Sequence, residues 1–471
     1  MIDVKFITDA LGVPKNPKGV SVFKAIVSDS RKLKPGDLFV ALVGETMDGH
    51  DFAKKALESG AAGVVVHKGF DELAQEFPYA QIFSVPDTLI AYRKLGHAWR
   101  MEFNIPVIAV VGSVGKTTSK EFLAAMLKGV YGEHTVHKTE GSQNGFIGIP
   151  ITLLELTSEH KAAVIEVGID EIGAMAQHMD CVSPTAVLLT AIGPEHLEKL
   201  IDLDIVTHEE MLAIEWAHAR KLPVGINLDD PLIAKAAAHL KGSHVMTFSL
   251  RESDATIVGK YDPIHLTLKT VEGRSGSVMI SMPLPGQHNA INALGAFAMG
   301  RSVHGKPSLL AMGLTKYFKG GVGRSQVVEI ARGQNKIICD YYNANPSSVQ
   351  AALSIINELF QSAKNPGQKM ICLGDMLELG KDELQFHRDL APFILKSGID
   401  SVYLFGPKMK SLESSLKYLG YFGNLRHYEN IDALSADLIR DLKPNDICLI
   451  KGSRSMKMER VWKAVHDHFG D

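Results

Sequence analysis

The chain has 471 residues, of which 45% are hydrophobic and 22% are charged, and its formal net charge is −3. This composition is typical of a soluble globular protein, and the length predicts two or three domains. The small net charge argues against a nucleic-acid-binding surface, because few cations are in excess to displace counterions from phosphate. The sequence also has no run of roughly 20 apolar residues that could span a bilayer.

Two further features indicate a reducing compartment. The cysteines form no C-x-x-C pair, which argues against a disulfide framework and against a zinc site; they are Cys181, Cys339, Cys372 and Cys448. The N-terminal segment MIDVKFITDALG lacks the basic region and apolar core of a signal peptide. We therefore expect a cytoplasmic protein.

The first part of the chain, residues 1–102, alternates short apolar runs with helical patterns. The segments DLFVALVG, AGVVVHKG and QIFSVPD predict strands, and HDFAKKALESGA predicts a helix between the first two. We expect this range to form an α/β domain.

A phosphate-binding loop is predicted at the start of the second part of the chain. IPVIAVV (105–111) suits a buried parallel strand, and the segment GSVGKT follows it. Backbone amides in a tight turn can face phosphate oxygens, while the lysine adds a positive charge and the threonine a hydroxyl for Mg²⁺. The loop and the residue after it predict ATP binding with Mg²⁺ through Gly112, Ser113, Val114, Gly115, Lys116, Thr117 and Thr118.

The helix after this loop, from about Thr118 to Val130, directs its N-terminal amides and its dipole toward the same phosphates. The longer motif G-x-x-x-x-G-K-[ST] has glycine where this chain has Val110, so only the shorter form G-x-x-G-K-T is met. A glycine turn with an incidental lysine is the alternative, and the order of strand, turn and helix argues against it.

The remaining strands of residues 103–318 predict a parallel sheet covered on both faces. They are AAVIEVG (162–168), TAVLLTAI (185–192) and PVGINLDD (223–230), with helices between them. Short β segments follow over about 254–285, and HNAINALGAFAMGRSVHG predicts a closing helix.

Polar residues near the ends of these strands are candidate ligands. Glu166 ends a strand, where a carboxylate can hold Mg²⁺ directly or through water; simple exposure to solvent is the alternative. His196, in AIGPEHLE, is a candidate metal ligand or proton carrier. Asn144, in GSQNG, fits a turn as well as a substrate contact, since Asn-Gly favours turns.

The glycine-rich segment KGGVGRS (319–325) predicts a hinge before a third α/β domain, whose strands are KIICDYY, KMICLGD, SVYLFG and DICLIKGS. Two domains on either side of a hinge can close over substrates. In CDYYNANPSS, Asp340, Asn343 and Asn345 fit either a substrate contact or a helix N-cap. KGSRSMKMER (451–460) carries four cations, which suit an anionic substrate or a solvated helix start.

Together these segments resemble the Mur ligase family of bacterial cell-wall synthesis over essentially the whole chain. DSRKLKPGDLFVALVGETMDGHDFAKKALESGAAGVVV is similar to its uridine-nucleotide domain, and GSVGKTTSKEF, GIPITLLEL, GPEHLE and HNAINAL are similar to its ATPase domain. DYYNANPSS, LGDMLELG and KGSRSMKMER resemble the C-terminal domain of the branch that adds D-alanyl-D-alanine.

The resemblance implies an α/β fold of three domains. A central P-loop ATPase domain with a parallel sheet (103–318) would be flanked by an N-terminal α/β domain that binds the UDP-linked substrate (1–102). A Rossmann-like α/β ligase domain (319–471) would complete the chain.

The resemblance also implies roles for individual residues. Lys116 and Thr117 would hold the ATP phosphates and Mg²⁺, Glu166 would bind Mg²⁺, and His196 would bind a second Mg²⁺. The predicted metal ligands are therefore Thr117, Glu166 and His196. Lys116, Glu166 and His196 are predicted catalytic residues.

Further contacts are implied for ATP and the two substrates. The adenine would contact Asn292, the phosphates Arg324 and the ribose Asp340. The predicted substrate contacts, besides Asn144, are Ser30 and Arg31 for the uridine nucleotide and Asn343 and Asn345 for the incoming dipeptide.

The implied reaction joins UDP-N-acetylmuramoyl-tripeptide to D-alanyl-D-alanine in peptidoglycan precursor synthesis, and we expect a monomer. ATP would convert the terminal carboxylate of the tripeptide to an acyl phosphate, which the amine of the dipeptide attacks. Lysine and diaminopimelate both remain open as the third residue of the tripeptide. A related amide ligase with other substrates and a nucleotide-binding protein without turnover are the alternatives.

The sequence departs from the family pattern at three places. Ala191 stands where the family has asparagine, and GSQNG retains only Asn144 of an asparagine-rich segment. Glu210 stands where the family has a carbamylated lysine, on a helix predicted to begin near Ile205. Because a carbamylated lysine ends in a carboxylate, we expect Glu210 to replace it as a catalytic residue; a solvent-facing glutamate is the alternative.

Overall fold

The computed structural model describes residues 1–44, 46–273, 276–331 and 334–470 of the chain. Helices and strands alternate along most of this length, as an α/β fold requires. In the part of the chain that the structure describes, no helix is both long enough and apolar enough to cross a membrane.

The strands are short, and most are buried between helices. In chain order they are β1 (Ile2–Asp3), β2 (Val22–Phe23), β3 (Ile26–Val27), β4 (Leu38–Val40), β5 (Gly63–His67), β6 (Gln81–Val85), β7 (Val107–Val111), β8 (Val136–Lys138), β9 (Ala162–Glu166), β10 (Ala186–Leu189), β11 (Val224–Asn227), β12 (Val245–Ser249), β13 (Ile257–Asp262), β14 (Thr267–Glu272), β15 (Ser277–Ser281), β16 (Gln326–Ile330), β17 (Asn335–Asp340), β18 (Lys369–Gly374), β19 (Ser401–Phe405), β20 (Asn424–Tyr428) and β21 (Ile447–Lys451).

The α-helices vary from single turns to more than four turns. In chain order they are α1 (Val4–Leu11), α2 (Ala53–Glu58), α3 (Asp71–Glu76), α4 (Thr88–Met101), α5 (Lys116–Tyr131), α6 (Gly148–Leu154), α7 (Ala174–Val182), α8 (Leu197–Leu200), α9 (Leu203–Ala219), α10 (Pro231–Ala236), α11 (Gln287–Ser302), α12 (Pro307–Tyr317), α13 (Pro346–Ser362), α14 (Glu383–Arg388), α15 (Ala391–Lys396), α16 (Met409–Tyr418), α17 (Ile431–Asp441) and α18 (Glu459–Phe469).

The chain divides into two compact units. The first comprises residues 1–109, 137–167 and 174–185, and the second comprises residues 110–136, 168–173 and 186–471. The domain limits that the sequence predicts at about residues 102 and 318 stay predictions.

In the first unit, β3, β4, β5 and β6 form a parallel sheet in that order. Successive residues of β5 point to opposite faces, as the strand period of two requires. Val65 belongs to the same buried cluster as Tyr92 of α4, whereas Val64 belongs to that of Ala56 of α2. The three strands predicted in this part of the chain are confirmed, with helices on both faces of the sheet.

In the second unit, β10, β11, β12 and β13 are parallel neighbours, and β14 and β15 extend the sheet with antiparallel pairing. β10 connects to β11 through α9, which is the kind of crossover that parallel strands need. β13 leads into β14 through a short turn, which allows antiparallel pairing. The strands predicted from TAVLLTAI and PVGINLDD are therefore confirmed as parallel neighbours, and the short β segments after residue 254 are confirmed.

A second sheet of this unit has the strand order β16-β17-β21-β18-β19-β20, and only β16 is antiparallel to its neighbour. Buried clusters cover its two faces, one around Ile338 and the other around Ile337. The four strands predicted after residue 325 are confirmed. β16 and β20 are not predicted from the sequence, because these edge strands are only partly buried and contain polar residues.

Candidate active site

The phosphate-binding loop lies between β7 and α5. Gly112 and Gly115 have φ angles of +120° and +88°, which favour glycine. A Cβ atom at Gly112 would lie 2.3 Å from Thr190 Oγ1, and one at Gly115 would lie 2.5 Å from Asn292 Oδ1. Both glycines are thus required by backbone angle and by space. The helix after the loop begins at Lys116, slightly earlier than predicted.

The position of Val110 explains why the shorter motif suffices. Val110 is fully buried inside β7 and is not part of the loop. The loop is held instead by the segment after β10. Ser113 N and Val114 N donate to Ala191 O at 2.8 and 3.3 Å, and Thr190 Oγ1 donates to Val114 O at 2.7 Å. Ala191 contributes its backbone oxygen here, so the loss of the family's asparagine leaves this contact in place.

The lysine of the loop forms an ion pair. Lys116 Nζ lies 3.1 and 3.3 Å from the two carboxylate oxygens of Glu195 and 3.3 Å from Ser113 O. Only 11% of the Lys116 side chain and 13% of the Glu195 side chain are exposed, so solvent screens their attraction weakly. Glu195 is not among the residues predicted from the sequence, although it directly precedes His196 in GPEHLE.

Glu210 is fully buried, so the solvent-facing alternative was wrong. It lies on α9, which begins at Leu203, two residues before the predicted start near Ile205. Its Oε2 accepts a hydrogen bond from Gly112 N at 2.7 Å, and its Oε1 has no hydrogen-bond partner among the described residues. Burial raises the pKa of this carboxyl to about 8, and the nearby Lys116 opposes the rise. Glu210 therefore contacts the first residue of the phosphate-binding loop.

Glu166 is also buried, with 2% of its surface exposed, so simple exposure at a strand end does not describe it. Its Oε1 accepts a hydrogen bond from Asn144 Nδ2 at 2.8 Å, and its backbone N donates to Thr139 Oγ1 at 3.0 Å. The one asparagine retained in GSQNG therefore orients the carboxylate that the sequence predicts as a metal ligand.

His196 precedes the first turn of α8 in a left-handed conformation, with φ of 50°. Its Nδ1 lies 2.7 Å from Glu378 Oε2, and Leu197 N donates to Glu378 O at 3.1 Å. Glu378 belongs to LGDMLELG and also has a positive φ, of 64°. A carboxylate on one ring nitrogen orients an imidazole so that the other nitrogen is free to bind a ligand.

One pocket of the second unit brings many of the predicted residues together. The loop contributes residues 113–115 and Thr118 to its lining. From other segments, the predicted residues that line it are Asn292, Arg324, Asp340, Asn343 and Asn345. Glu195 and Lys451 line it as well. Gly112, Lys116 and Thr117 belong to the same loop and the first turn of α5.

Asp340 and Lys451 end two neighbouring parallel strands, β17 and β21, and are direct partners in the register. Lys451 Nζ donates to Asp340 Oδ2 at 2.6 Å, and Asp340 Oδ1 accepts from Ser325 N at 2.8 Å. Only 3% of the Lys451 side chain is exposed. The first cation of KGSRSMKMER is thus buried in an ion pair, and the solvated alternative does not apply to it.

Asn345 is the N-cap of α13, which confirms the capping alternative for this residue. Its Oδ1 accepts from Ser348 N at 2.8 Å, and Ser348 Oγ accepts from Asn345 N at 3.0 Å, which completes a capping box. Asn343 Oδ1 accepts from Ala344 N at 2.9 Å. Because both asparagines also line the pocket, capping and a substrate contact do not exclude each other.

The predicted hinge contains two glycines in left-handed conformations, Gly320 and Gly323, with φ of +77° and +66°. A Cβ atom at Gly323 would lie 2.6 Å from the ring of Tyr341. Arg324 follows, and its guanidinium lies 4.0 Å from the ring centroid of Tyr342. Motion about this segment stays a prediction.

Ser30 and Arg31 line a pocket of the first unit together with Phe52 and Lys55. Arg31 Nε and Nη2 donate to the two carboxylate oxygens of Asp29, both at 2.9 Å. These hydrogen bonds lower the pKa of Asp29 to about 2. The Arg31 side chain is 87% exposed, so its outer face is accessible to an anionic ligand.

Across the described ranges, no group of three or more His, Cys, Asp or Glu side chains is arranged to hold a metal ion. This does not conflict with the predicted Mg²⁺, because Mg²⁺ keeps several waters and binds through one or two carboxylates together with phosphate oxygens. A buried carboxylate at Glu166 and a hydroxyl at Thr117 are donors of the kind that Mg²⁺ prefers.

Three family models match successive segments of the chain. The model described as Mur ligase family, catalytic domain, matches residues 22–94; the Mur ligase middle domain matches residues 110–300; and the Mur ligase, glutamate ligase domain, matches residues 323–454. The matches follow the order of the three domains that the sequence predicts.

Curated relatives match over nearly the full length. The UDP-N-acetylmuramoyl-tripeptide--D-alanyl-D-alanine ligase of Bacillus subtilis is 32% identical over 94% of this chain and 93% of its own. The Escherichia coli enzyme of the same name is 32% identical over 94% of both chains.

Solved structures agree with the fold. A crystal structure of MurF from Acinetobacter baumannii has a TM-score of 0.86 at 24% identity and covers 99% of both chains. MurF ligase from Thermotoga maritima, solved in complex with ADP, has a TM-score of 0.77 at 24% identity, with 94% of this chain and 97% of that chain covered. With its full-length relatives and its three matched domains, the chain belongs to the Mur ligase family.

Proposed function

We propose that the chain catalyses the ATP-dependent, ADP-forming ligation of UDP-N-acetylmuramoyl-tripeptide to D-alanyl-D-alanine in peptidoglycan precursor synthesis. Relatives named for this activity are 32% identical over more than nine-tenths of the chain. The observation that carries the proposal is the pocket in which the phosphate-binding loop and the segment around Asp340 line one space. Such a pocket suits a reaction that joins two molecules around ATP.

The loop would hold the phosphates of ATP. Gly115 and the first turn of α5 would present backbone amides, Lys116 would add a charge, and Gly112, whose amide donates to Glu210, would shape the turn. Phosphate groups carry more negative charge than one carboxylate. They would therefore displace Glu195 as the partner of Lys116.

The remaining ATP contacts are assigned by proximity within the pocket. Asn292 lies against Gly115 and would contact the adenine, whereas Asp340, held by Lys451, would bind the ribose. Arg324 would turn from Tyr342 toward the phosphates when the hinge closes. The shared lining of these residues supports the assignment.

Thr117 and Glu166 stay the proposed Mg²⁺ ligands, and His196 stays the proposed ligand of a second ion. The ion would neutralise phosphate charge and polarise the transferred phosphoryl group. Asn144 orients Glu166, and Glu378 orients His196. We propose that Glu210 supplies the carboxylate that a carbamylated lysine supplies elsewhere in the family.

Each substrate has its own proposed contacts. Ser30 and Arg31 would bind the uridine nucleotide, since an exposed guanidinium pairs well with diphosphate. Asn343 and Asn345 would bind the incoming dipeptide, and Asn144 would lie near the tripeptide.

The chemistry follows from the weak reactivity of a carboxylate toward amines. Transfer of the γ-phosphoryl group to the terminal carboxylate of the tripeptide forms an acyl phosphate, with ADP as the leaving group. The amine of D-alanyl-D-alanine then attacks the acyl carbon, and phosphate leaves from the tetrahedral intermediate. Lys116 stabilises the phosphoryl oxygens, and closure excludes water that would hydrolyse the acyl phosphate.

We infer that the enzyme works in the cytoplasm as a monomer, with domain limits of 1–102, 103–318 and 319–471. The absence of a membrane-crossing helix among the described residues is consistent with this location.

The test is phosphate release from ATP with UDP-N-acetylmuramoyl-tripeptide, measured with and without D-alanyl-D-alanine. We expect sustained release only when all three substrates are present. Phosphate release that requires an amine other than D-alanyl-D-alanine would indicate a different amide ligase. ATP binding without phosphate release would indicate a protein without turnover. Lysine-containing and diaminopimelate-containing tripeptides should be compared in the same assay.

A further inference from the structure

The helix that carries Asn292 has no side-chain cap of its own. Gly286 occupies the N-cap position of α11 and has no side chain to accept from the first-turn amides. Its φ is +106°, and a Cβ atom there would lie 2.7 Å from His288 Cε1 and 3.0 Å from Ile355 Cγ1. The backbone angle and the lack of space therefore exclude the usual capping residues at this position.

The missing cap comes from α13. Glu358 Oε2 accepts a hydrogen bond from Gly286 N at 3.0 Å, and Glu358 Oε1 accepts from Gln287 N at 3.3 Å. The Tyr261 hydroxyl donates to Glu358 Oε2 at 3.1 Å and accepts from Gly286 N at 3.0 Å. A carboxylate at this end of a helix is also favoured by the helix dipole.

This contact joins segments on the two sides of the predicted hinge. Glu358 follows residues 319–325 in the chain, whereas Tyr261 and α11 precede them. Any motion of α13 away from α11 removes the Glu358 oxygens from Gly286 N and Gln287 N. Gln287 N would then depend on water, whereas Gly286 N would keep the Tyr261 hydroxyl as an acceptor.

The first turns of α11 also line the pocket. His288, Asn289 and Asn292 belong to its lining, and Asn292 lies close enough to Gly115 to exclude a Cβ atom there. A frayed start of α11 would therefore shift Asn292 relative to the phosphate-binding loop.

We propose that Glu358 is a positioning residue that caps α11 when α13 is docked, and that it thereby couples docking to nucleotide affinity. The coupling is reciprocal, so a nucleotide bound beside Asn292 favours the docked arrangement. The inference rests on the proposed function in one respect, which is that the nucleotide is ATP.

The test compares Glu358→Ala with Glu358→Gln and with Gln361→Ala, a change at an exposed position of the same helix. A helix cap contributes about 1 kcal/mol, so Glu358→Ala should raise the Kd for ATP about fivefold. Glu358→Gln keeps an acceptor oxygen and should recover part of the loss. Hydrogen exchange of the amides of residues 286–290 should accelerate in the alanine variant, while affinity for the UDP-linked substrate stays unchanged.

The proposal is overturned if Glu358→Ala matches Gln361→Ala in ATP affinity and in exchange. It is also overturned if ATP and the UDP-linked substrate lose affinity equally, because that would indicate general destabilisation. ATP binding is measured without turnover. A wild-type chain that binds ATP but fails the ligation assay would therefore contradict the proposed function and leave this test valid.

Discussion

The pocket beside the phosphate-binding loop and the pocket beside Arg31 are built in different ways. Around the loop, ionisable side chains are buried and meet partners far along the chain, as Glu210 meets Gly112 and Lys116 meets Glu195. Arg31 is mostly exposed and pairs with Asp29, two residues away. Removing one partner of a buried ion pair is strongly destabilising, because the other charge is left buried and unpaired. An exposed ion pair contributes little to stability. The effects of substitutions in the two pockets should therefore differ in size.

The largest effect is expected for Lys116→Ala. Loss of the charge that faces the phosphoryl oxygens should reduce ligation by at least about 100-fold. The affinity for the UDP-linked substrate should stay nearly unchanged, because its uridine contacts are predicted in the first unit. Turnover and a binding titration measure the two quantities, with Lys54→Ala, which breaks an exposed ion pair, as the control. Equal loss of both would mean that the domain assignment is wrong.

The second-largest effect is expected for substitutions in the predicted hinge. Gly320 has a φ of +77°, which proline cannot adopt, so replacing Gly320 and Gly321 by proline should strain this segment by about 2 kcal/mol. If the strain opposes closure, turnover falls roughly 30-fold and ATP affinity changes much less. Steady-state kinetics with an ATP titration would separate the two. Unchanged turnover would show that these glycines are not a hinge.

Glu210→Gln tests whether the buried carboxylate has a metal role. Glutamine keeps the size and an acceptor for Gly112 N but cannot ionise to bind a metal ion, and turnover should fall at least tenfold, about 1.4 kcal/mol of barrier. Activity of the wild type should also be independent of CO₂, since no carbamate has to form. Assays at limiting Mg²⁺ should include Glu209→Gln, a buried neighbour on the same helix, as the control. Wild-type turnover in the Glu210 variant would exclude the metal role.

The smallest effect is expected for Asp29→Asn in the exposed pocket. The pair should contribute less than about 1 kcal/mol, so the KM for the UDP-linked substrate should change about threefold or less. Since the pKa of Asp29 is lowered from 3.8 to about 2, its contribution to stability is present above pH 3.8 and is lost as the pH falls through about 2. The wild type and Asp29→Asn should therefore differ in thermal stability at pH 6 and differ less at pH 2, which thermal unfolding measures. A tenfold change in KM would contradict the expected difference between the two pockets.

Local features of the sequence were enough to predict the phosphate-binding loop and most strands. Gly112 and Gly115 are identified by their spacing before a lysine, because the backbone angles of a tight turn depend on neighbouring residues alone. The buried strands follow from continuous apolar runs. Asn345 was predicted as a possible cap for the same reason, since a capping box involves only residues a few positions apart.

The tertiary structure decided the partners of the charged residues. Gly112 and Glu210 are 98 residues apart, Lys116 and Glu195 are 79 apart, and Gly286 and Glu358 are 72 apart. No local pattern specifies such pairs, because they form only when separate strands and helices pack into one unit. Burial is likewise a property of packing, and it distinguishes the enclosed Glu210 from the solvent-facing glutamate that the same sequence allowed. Periodicity alone cannot reveal which polar side chains the folded chain encloses, since enclosure depends on what packs against them.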